Sequence, residues 1–227
     1  MSGDVALVVG AGGVLGGALC EEFTAAGYAV VGLRRARVTH APRGVEIRAC
    51  DLWNPVSVAR VAHDVVAQHG HVDVLVCNAT HFVSGAFTDT AYPEFEAAWC
   101  VAVGSAIGAM HAVLPSMAAR ERGTVIVTGA TASLRGSAKF GALASAKFAL
   151  RGLTQALARE YQPQGVHVVH VVVDGLLRGS HSVARFGGSE TRTIDPRALA
   201  ILYRQLAGQP ADAWTHEIDV RPRGERF

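Results

Sequence analysis

A run of five apolar residues, Val5 to Val9, feeds directly into Gly10-Ala11-Gly12-Gly13-Val14-Leu15-Gly16-Gly17, and a helical period begins at once. No other feature restricts the fold as strongly. Glycines at this spacing let the backbone reverse tightly after a strand and approach a pyrophosphate closely. The helix that follows presents oriented N–H donors and a partial positive charge to that anion. Gly10, Gly12, Gly13, Leu15 and Gly16 are therefore candidate cofactor-binding residues. A glycine turn that serves only the packing of helix on strand is the competing reading.

The remainder of the chain repeats the strand-then-helix rhythm. β-Branched runs at Val5–Val9, 29–33, Val45–Ala49, 72–77, 124–128 and Val166–Val173 are short and continuously apolar, as strands covered on both faces are. Asn54-Pro55 and Asp195-Pro196 each pair a capping side chain with a proline at the first helical position. Leu15, Ala18, Leu19, Glu22 and Phe23 carry the i, i+3, i+4 spacing of a helix laid on a sheet. Right-handed crossovers between such elements predict an α/β fold, a Rossmann-type doubly wound parallel sheet flanked by helices. One domain over 1–227 is expected, since 227 residues, half of them apolar, suit a single core. Residues 177–194 break the pattern, being rich in Gly, Ser, Arg and Thr. They follow a strand at the edge where open sheets bind ligands, so they read as a substrate lid or as an irregular excursion.

Composition removes several classes. Twenty-one basic against 19 acidic residues leave a net charge of +2, too little to draw nucleic acid or a membrane surface to the whole molecule. Cys20, Cys50, Cys77 and Cys100 form no C-x-x-C pair and read as buried thiols of a reducing cytoplasm. The start of the chain shows no basic leader or cleavage pattern, and no apolar stretch approaching 18 residues free of polar interruption is evident, so a soluble, unexported protein is expected. The ten histidines do not group: His167 and His170 alternate across a strand, and His69 and His71 lack an acid cluster, which argues against a metal. No G-x-S-x-G elbow offers a serine nucleophile.

The second strand ends in Gly32-Leu33-Arg34-Arg35, with no acid where a ribose diol would need one. A guanidinium there suits a 2′-phosphate, so Arg34 and Arg35 favour NADP, with NAD as the alternative; two arginines solvating a strand end is the plainer reading. Asp51, closing the third strand, can accept from an adenine amino group or simply cap its loop.

The order of these motifs resembles the short-chain dehydrogenase/reductase family over nearly the whole chain. The glycine turn, Asp51-Leu52, Cys77-Asn78-Ala79-Thr80 at the family's N-N-A-G position, Leu114-Pro115-Ser116-Met117 and Ala144-Ser145-Ala146-Lys147-Phe148-Ala149-Leu150 carry the resemblance. It implies that Asp51, Leu52, Asn78 and Lys147 join the cofactor site. It also implies a catalytic set of Asn, Ser, Tyr and Lys, and a homodimer or homotetramer built on the helices at 93–120 and 141–158. Carried over position by position, the Asn falls on Ala102, the Ser on Ala130 and the Tyr on Leu143; Lys147 alone is kept. The related enoyl reductases set their tyrosine seven residues before the lysine, and Phe140 occupies that place. Tyr28, Tyr92 and Tyr161 lie outside the region this fold devotes to chemistry, and sequence does not place Tyr203.

Leu143, one turn before Lys147, shares its helix face and can donate no proton. Loss of a positioned acid costs about 10² to 10⁴ in rate. Thr131, Ser133 and Ser137 are candidate replacement donors, with turn capping as the other reading of the first two; His81 is a candidate acid or a loop spectator. Lys147 either holds the nicotinamide ribose or is a solvated helix lysine, and its apolar setting favours the first. The expectation is an NADP(H)-dependent oxidoreductase acting on a small or medium carbonyl or alkene through a non-standard active site. The rival is a dinucleotide-binding pseudoenzyme, a sensor or an inactive subunit.

Overall fold

A computed structural model of the chain describes residues 3–35, 43–187 and 189–224. Seven strands form one parallel sheet: β1 (Val5–Val9), β2 (Ala29–Arg34), β3 (Val45–Ala49), β4 (Val74–Cys77), β5 (Gly123–Thr128), β6 (Val166–Val173) and, at the far edge, β9 (Glu217–Val220). Their spatial order is β3-β2-β1-β4-β5-β6-β9, so the winding reverses between β1 and β4. That reversal opens a crevice at the strands' carboxyl ends, where doubly wound sheets take their ligands.

The period of two in β1 shows how the sheet is covered. Val5, Leu7 and Val9 face one core with helices α2 (Pro55–His69), α4 (Ser105–Ala119) and α5 (Gly141–Tyr161). Ala6 and Val8 face the other, with α1 (Gly13–Ala25) and α7 (Pro196–Ala207). The expected start signals operate as anticipated: Asn54 Oδ1 accepts from the amides of Val56 and Ser57 at 3.0 and 3.2 Å, and Asp195 accepts from that of Arg197 at 2.9 Å. Leu15, Ala18, Leu19 and Phe23 of α1 are buried, whereas Glu22 reaches out to an ion pair with Arg204 of α7.

Three features depart from the sequence reading. First, the helix through 93–120 is α3 (Tyr92–Trp99) joined to α4 by a π-helical turn, Cys100–Gly104. Together they make 28 residues with a mean hydropathy of 1.7 in the most apolar window, long and apolar enough to cross a bilayer by composition. That stretch went unrecognised because scattered Ser, His and Gly interrupt it. Its apolar character is used in the core, since 78 % of the window is buried. Close packing explains the small residues: a side chain at Gly108 would collide with the Pro55 carbonyl oxygen of α2. Second, 177–194 is not irregular throughout. It holds α6 (His181–Phe186), and its ends are tied by a two-residue parallel pair, β7 (Leu176–Leu177) with β8 (Thr193–Ile194). Third, Cys20, Cys50 and Cys77 are buried free thiols as expected, but Cys100 is only partly covered.

Candidate active site

The glycine turn is built as a cradle. Gly10 has φ +91°, and a Cβ there would stand 2.6 Å from the Ala79 amide nitrogen, so a side chain is excluded both by conformation and by the β4 loop. A Cβ on Gly16 would strike the Gly10 carbonyl oxygen, which is why helix α1 can sit so close to the turn. Gly12 and Gly13 are different: a Cβ at either meets nothing within 4 Å. They border open space at the start of α1, whose N-cap, Gly12, offers no side-chain oxygen to the first amides. Amide donors at a helix N-terminus beside open space fit a pyrophosphate. Leu15 turns its side chain into the core, so only its backbone belongs to the cradle.

Asn78 locks this turn to β4. Its side-chain amide donates to the Gly10 carbonyl at 2.9 Å, and its backbone N–H donates to Val9 at 2.9 Å. Beyond the ends of β2 and β3 lies an open cleft of about 560 Å³ lined by Arg35, Ala49, Cys50, Asp51 and Trp53. Arg35 is exposed there, while Arg34 is partly covered. Asp51 takes its loop-capping role, accepting from the Trp53 amide at 3.0 Å, and Leu52 is a core residue.

Lys147 is 2 % exposed, so the solvated reading is corrected: the ammonium is inside the protein. It donates to the Thr128 carbonyl at 2.8 Å and to Thr80 Oγ1 at 3.0 Å. Burial disfavours the charged form and lowers its pKa to about 8, near the pH at which a proton can be exchanged usefully. Leu143 is buried one turn earlier on α5, and Ala130 leaves β5 in an extended conformation with only a methyl group to offer. Ala102 lies in the π-helical turn. Such turns often mark functional positions, and here the distortion remains without a polar side chain upon it.

The proposed substitute donors separate clearly. Ser133 is fully buried, and its hydroxyl accepts from the Ala130 amide at 3.1 Å, so it closes the turn after β5 instead of facing the crevice. Thr131 is partly exposed, but its hydroxyl donates to Asp174, whose other carboxylate oxygen lies 3.3 Å from the Arg221 guanidinium. His81 turns to Glu94, 3.0 Å away, and packs edge-on to Trp53, which lines the cleft beyond β2 and β3. Tyr203 is buried in the opposite layer, sharing a 2.9 Å hydrogen bond with the Thr128 hydroxyl. It supplies no phenol to Lys147.

Two features escaped the sequence reading. Thr80 is an exposed residue bonded to a buried lysine 67 positions away, a contact no local pattern announces. Phe82, Phe140 and Phe186 come from the loop after β4, the N-cap of α5 and helix α6, yet their ring centroids are 5.9 to 6.0 Å apart. They form an aromatic wall beside the crevice.

The model of the short chain dehydrogenase family matches residues 4–179. The chain belongs to this family. It is 30 % identical over 178 residues to a short-chain dehydrogenase/reductase of Armillaria gallica, covering 73 % of this chain and 68 % of that one. A 3-ketodihydrosphingosine reductase of Bacteroides thetaiotaomicron is 26 % identical over the full length of this chain and 78 % of its own. Among solved structures, a short-chain dehydrogenase from Rhodopseudomonas palustris superposes with a TM-score of 0.83 at 31 % identity, over 96 % of this chain and 98 % of that one. A metagenomic short-chain oxidoreductase in complex with NADP gives 0.83 at 29 %, over 97 % and 98 %. The Rossmann-type fold, the oxidoreductase family and the likeness to a protein solved with NADP are thereby established.

Proposed function

We propose that the protein is an NADP(H)-dependent oxidoreductase that reduces a small or medium apolar carbonyl or alkene without the family's tyrosine. The observation that carries this reading is the burial of Lys147 as a hydrogen-bonded ammonium whose pKa sits near 8, within a fold whose glycine cradle is sterically intact. A lysine kept only for packing would cost more to bury than an apolar residue of its size. A reduced dinucleotide bound here would supply hydride. Gly10, Gly12, Gly13, Gly16 and the backbone of Leu15 would hold its pyrophosphate, Arg35 with Arg34 its 2′-phosphate, Asp51 and Leu52 the adenine side, and Asn78 and Lys147 the nicotinamide half. NADP bound to the metagenomic relative supports this choice of coenzyme.

Phe82, Phe140 and Phe186 favour an apolar substrate, and 177–194, carrying Phe186, serves as its lid. Thr131 would act on the substrate through its oxygen, its proton being committed to Asp174; Ser133 supports the turn. Exposed Trp99 and Phe148 lie on the helical face through which family members assemble, so a homodimer or homotetramer is proposed. Its free thiols suit the cytoplasm.

Leu143 and Ala130 favour a second reading, a cofactor-binding protein without turnover. Restoring both groups with Leu143→Tyr and Ala130→Ser separates the two. Measurable NADPH oxidation by the parent across a carbonyl panel, raised less than about tenfold in the double variant, supports a working alternative site. A silent parent with an active double variant, a gain of about 10² or more, supports the inactive reading.

A further inference from the structure

We propose that Thr80 delivers the proton in this active site, its hydroxyl standing in for the missing phenol and being recharged by the Lys147 ammonium. The inference rests on the oxidoreductase reading above and names the residue that completes it.

Geometry singles out this hydroxyl. An ammonium has three donors and no acceptor, so the 3.0 Å bond from Lys147 Nζ engages only a lone pair of Thr80 Oγ1. The threonine's own proton has no partner among the described residues, and the residue is exposed where β4 opens into the crevice. Four nearby hydroxyls are committed elsewhere, and Ser137 makes no hydrogen bond to Lys147. Thr128 is buried against Tyr203, Ser133 is closed into its turn, Thr131 has given its proton to Asp174, and Ser145 donates to the Ala142 carbonyl. Thr80 also departs from the family pattern to which this segment is similar, in which glycine follows Asn-Ala. A hydroxyl thus appears beside Lys147 in the same chain that lacks one at positions 130 and 143.

The balance closes in a single concerted step. A reduced dinucleotide held by the glycine cradle, Asn78 and Lys147 would supply hydride to the carbonyl carbon, and the C=O π pair would pass to oxygen. That oxygen bonds to the Thr80 hydroxyl proton while Thr80 Oγ takes a proton from Lys147 Nζ. An alcohol, an intact Thr80 and a neutral Lys147 amine remain, and the amine regains its proton from water. Lys147 is suited to this exchange because burial holds it near the operating pH.

The test uses Thr80→Val, which keeps shape and removes the hydroxyl, and Thr80→Ser, which restores it. Lys139 and Lys147 are the only lysines in the chain, so isotope-labelled lysine reports the titration of Lys147 by NMR in the unliganded protein. Loss of the acceptor in Thr80→Val should move the Lys147 midpoint down by about half a pH unit or more, and Thr80→Ser should hold it. With NADPH and 4-nitrobenzaldehyde as probe, kcat should fall about 100-fold in Thr80→Val, recover in Thr80→Ser, and leave KM for NADPH within about threefold. An unmoved Lys147 titration overturns the proposal, as does a kcat retained in Thr80→Val or a loss confined to KM for NADPH. A parent that binds NADPH and turns over neither carbonyls nor alkenes overturns the oxidoreductase reading and proton delivery with it; turnover surviving in Thr80→Val overturns Thr80 alone.

Discussion

The two halves of the crevice have been held to different standards. On the β1–β4 side, the residues that matter are those whose absence of a side chain shapes the backbone: Gly10 against Ala79, Gly16 against the Gly10 carbonyl. On the β5–α5 side the framework is equally complete, with the π-helical turn at Cys100–Gly104, the extended Ala130 and the buried Lys147 all in place. Yet the positions onto which the family resemblance carries its reactive groups hold Ala102, Ala130 and Leu143. Backbone geometry in this fold is enforced by packing, which penalises any change, whereas a catalytic side chain facing a crevice can be replaced at little structural cost. Scaffold and chemistry are therefore separable.

Gly16→Ala tests the first half most severely. Its Cβ meets backbone that cannot yield, so a loss of about 3 kcal/mol in stability and of more than about 100-fold in NADPH affinity is expected. Gly12→Ala, which meets open space, should cost under about 1 kcal/mol. Thermal unfolding and calorimetric titration of both variants measure the contrast. Equal behaviour would break the comparison, since the cradle would then tolerate side chains as freely as the catalytic positions do.

His170 tests whether the second half is structurally as strict. It lies on β6 with no solvent exposure and, among the described residues, no hydrogen-bond partner on either ring nitrogen, against Gly129, where a Cβ would collide with its Nε2. Desolvation lowers its pKa from 6.5 to about 4, and the nearby Glu217 carboxylate offsets this only partly against Lys147, Arg151 and His216. The folded pKa is below the unfolded one, so the unfolded chain binds the proton more readily between those values. The contribution is therefore fully present above pH 6.5 and is lost as pH falls toward 4, a change of about 3 kcal/mol. Urea unfolding at pH 7 and pH 4.5 should show the decline in the parent and a smaller one in His170→Val. An identical decline in both would assign acid sensitivity elsewhere.

Arg35→Ala is expected to have the smallest effect. Removing one exposed guanidinium from a 2′-phosphate should reduce the preference for NADPH over NADH by about tenfold. An unchanged ratio in calorimetry would move the specificity to another group.

These contrasts match what could be read from the residues alone. The glycine turn, the Asn54 and Asp195 caps and β1, β3 and β6 were legible to the residue, because each depends on local conformation or on a period within a few positions. The burial of Lys147 was legible in its apolar setting, while spacing alone put Ala102, Ala130 and Leu143 where the family resemblance implies Asn, Ser and Tyr. Long-range contacts were not: the Thr80–Lys147 bond, the convergence of three phenylalanines and the burial of Ser133 arise from tertiary packing. The π-helical turn and helix α6 were missed for a related reason, since tertiary contacts, not helical period, hold them in place. Tyr203 shows the same limit, its phenol lying across the sheet from helix α5.

The central proposal is that the chain keeps a coenzyme site although Leu143 stands where the family resemblance implies a tyrosine. Calorimetric titration of the unaltered protein with NADPH tests it most directly. One NADPH per chain with a dissociation constant below about 100 µM, and weaker binding of NADH, is the expected result. No heat of binding at millimolar NADPH from a folded protein would contradict it.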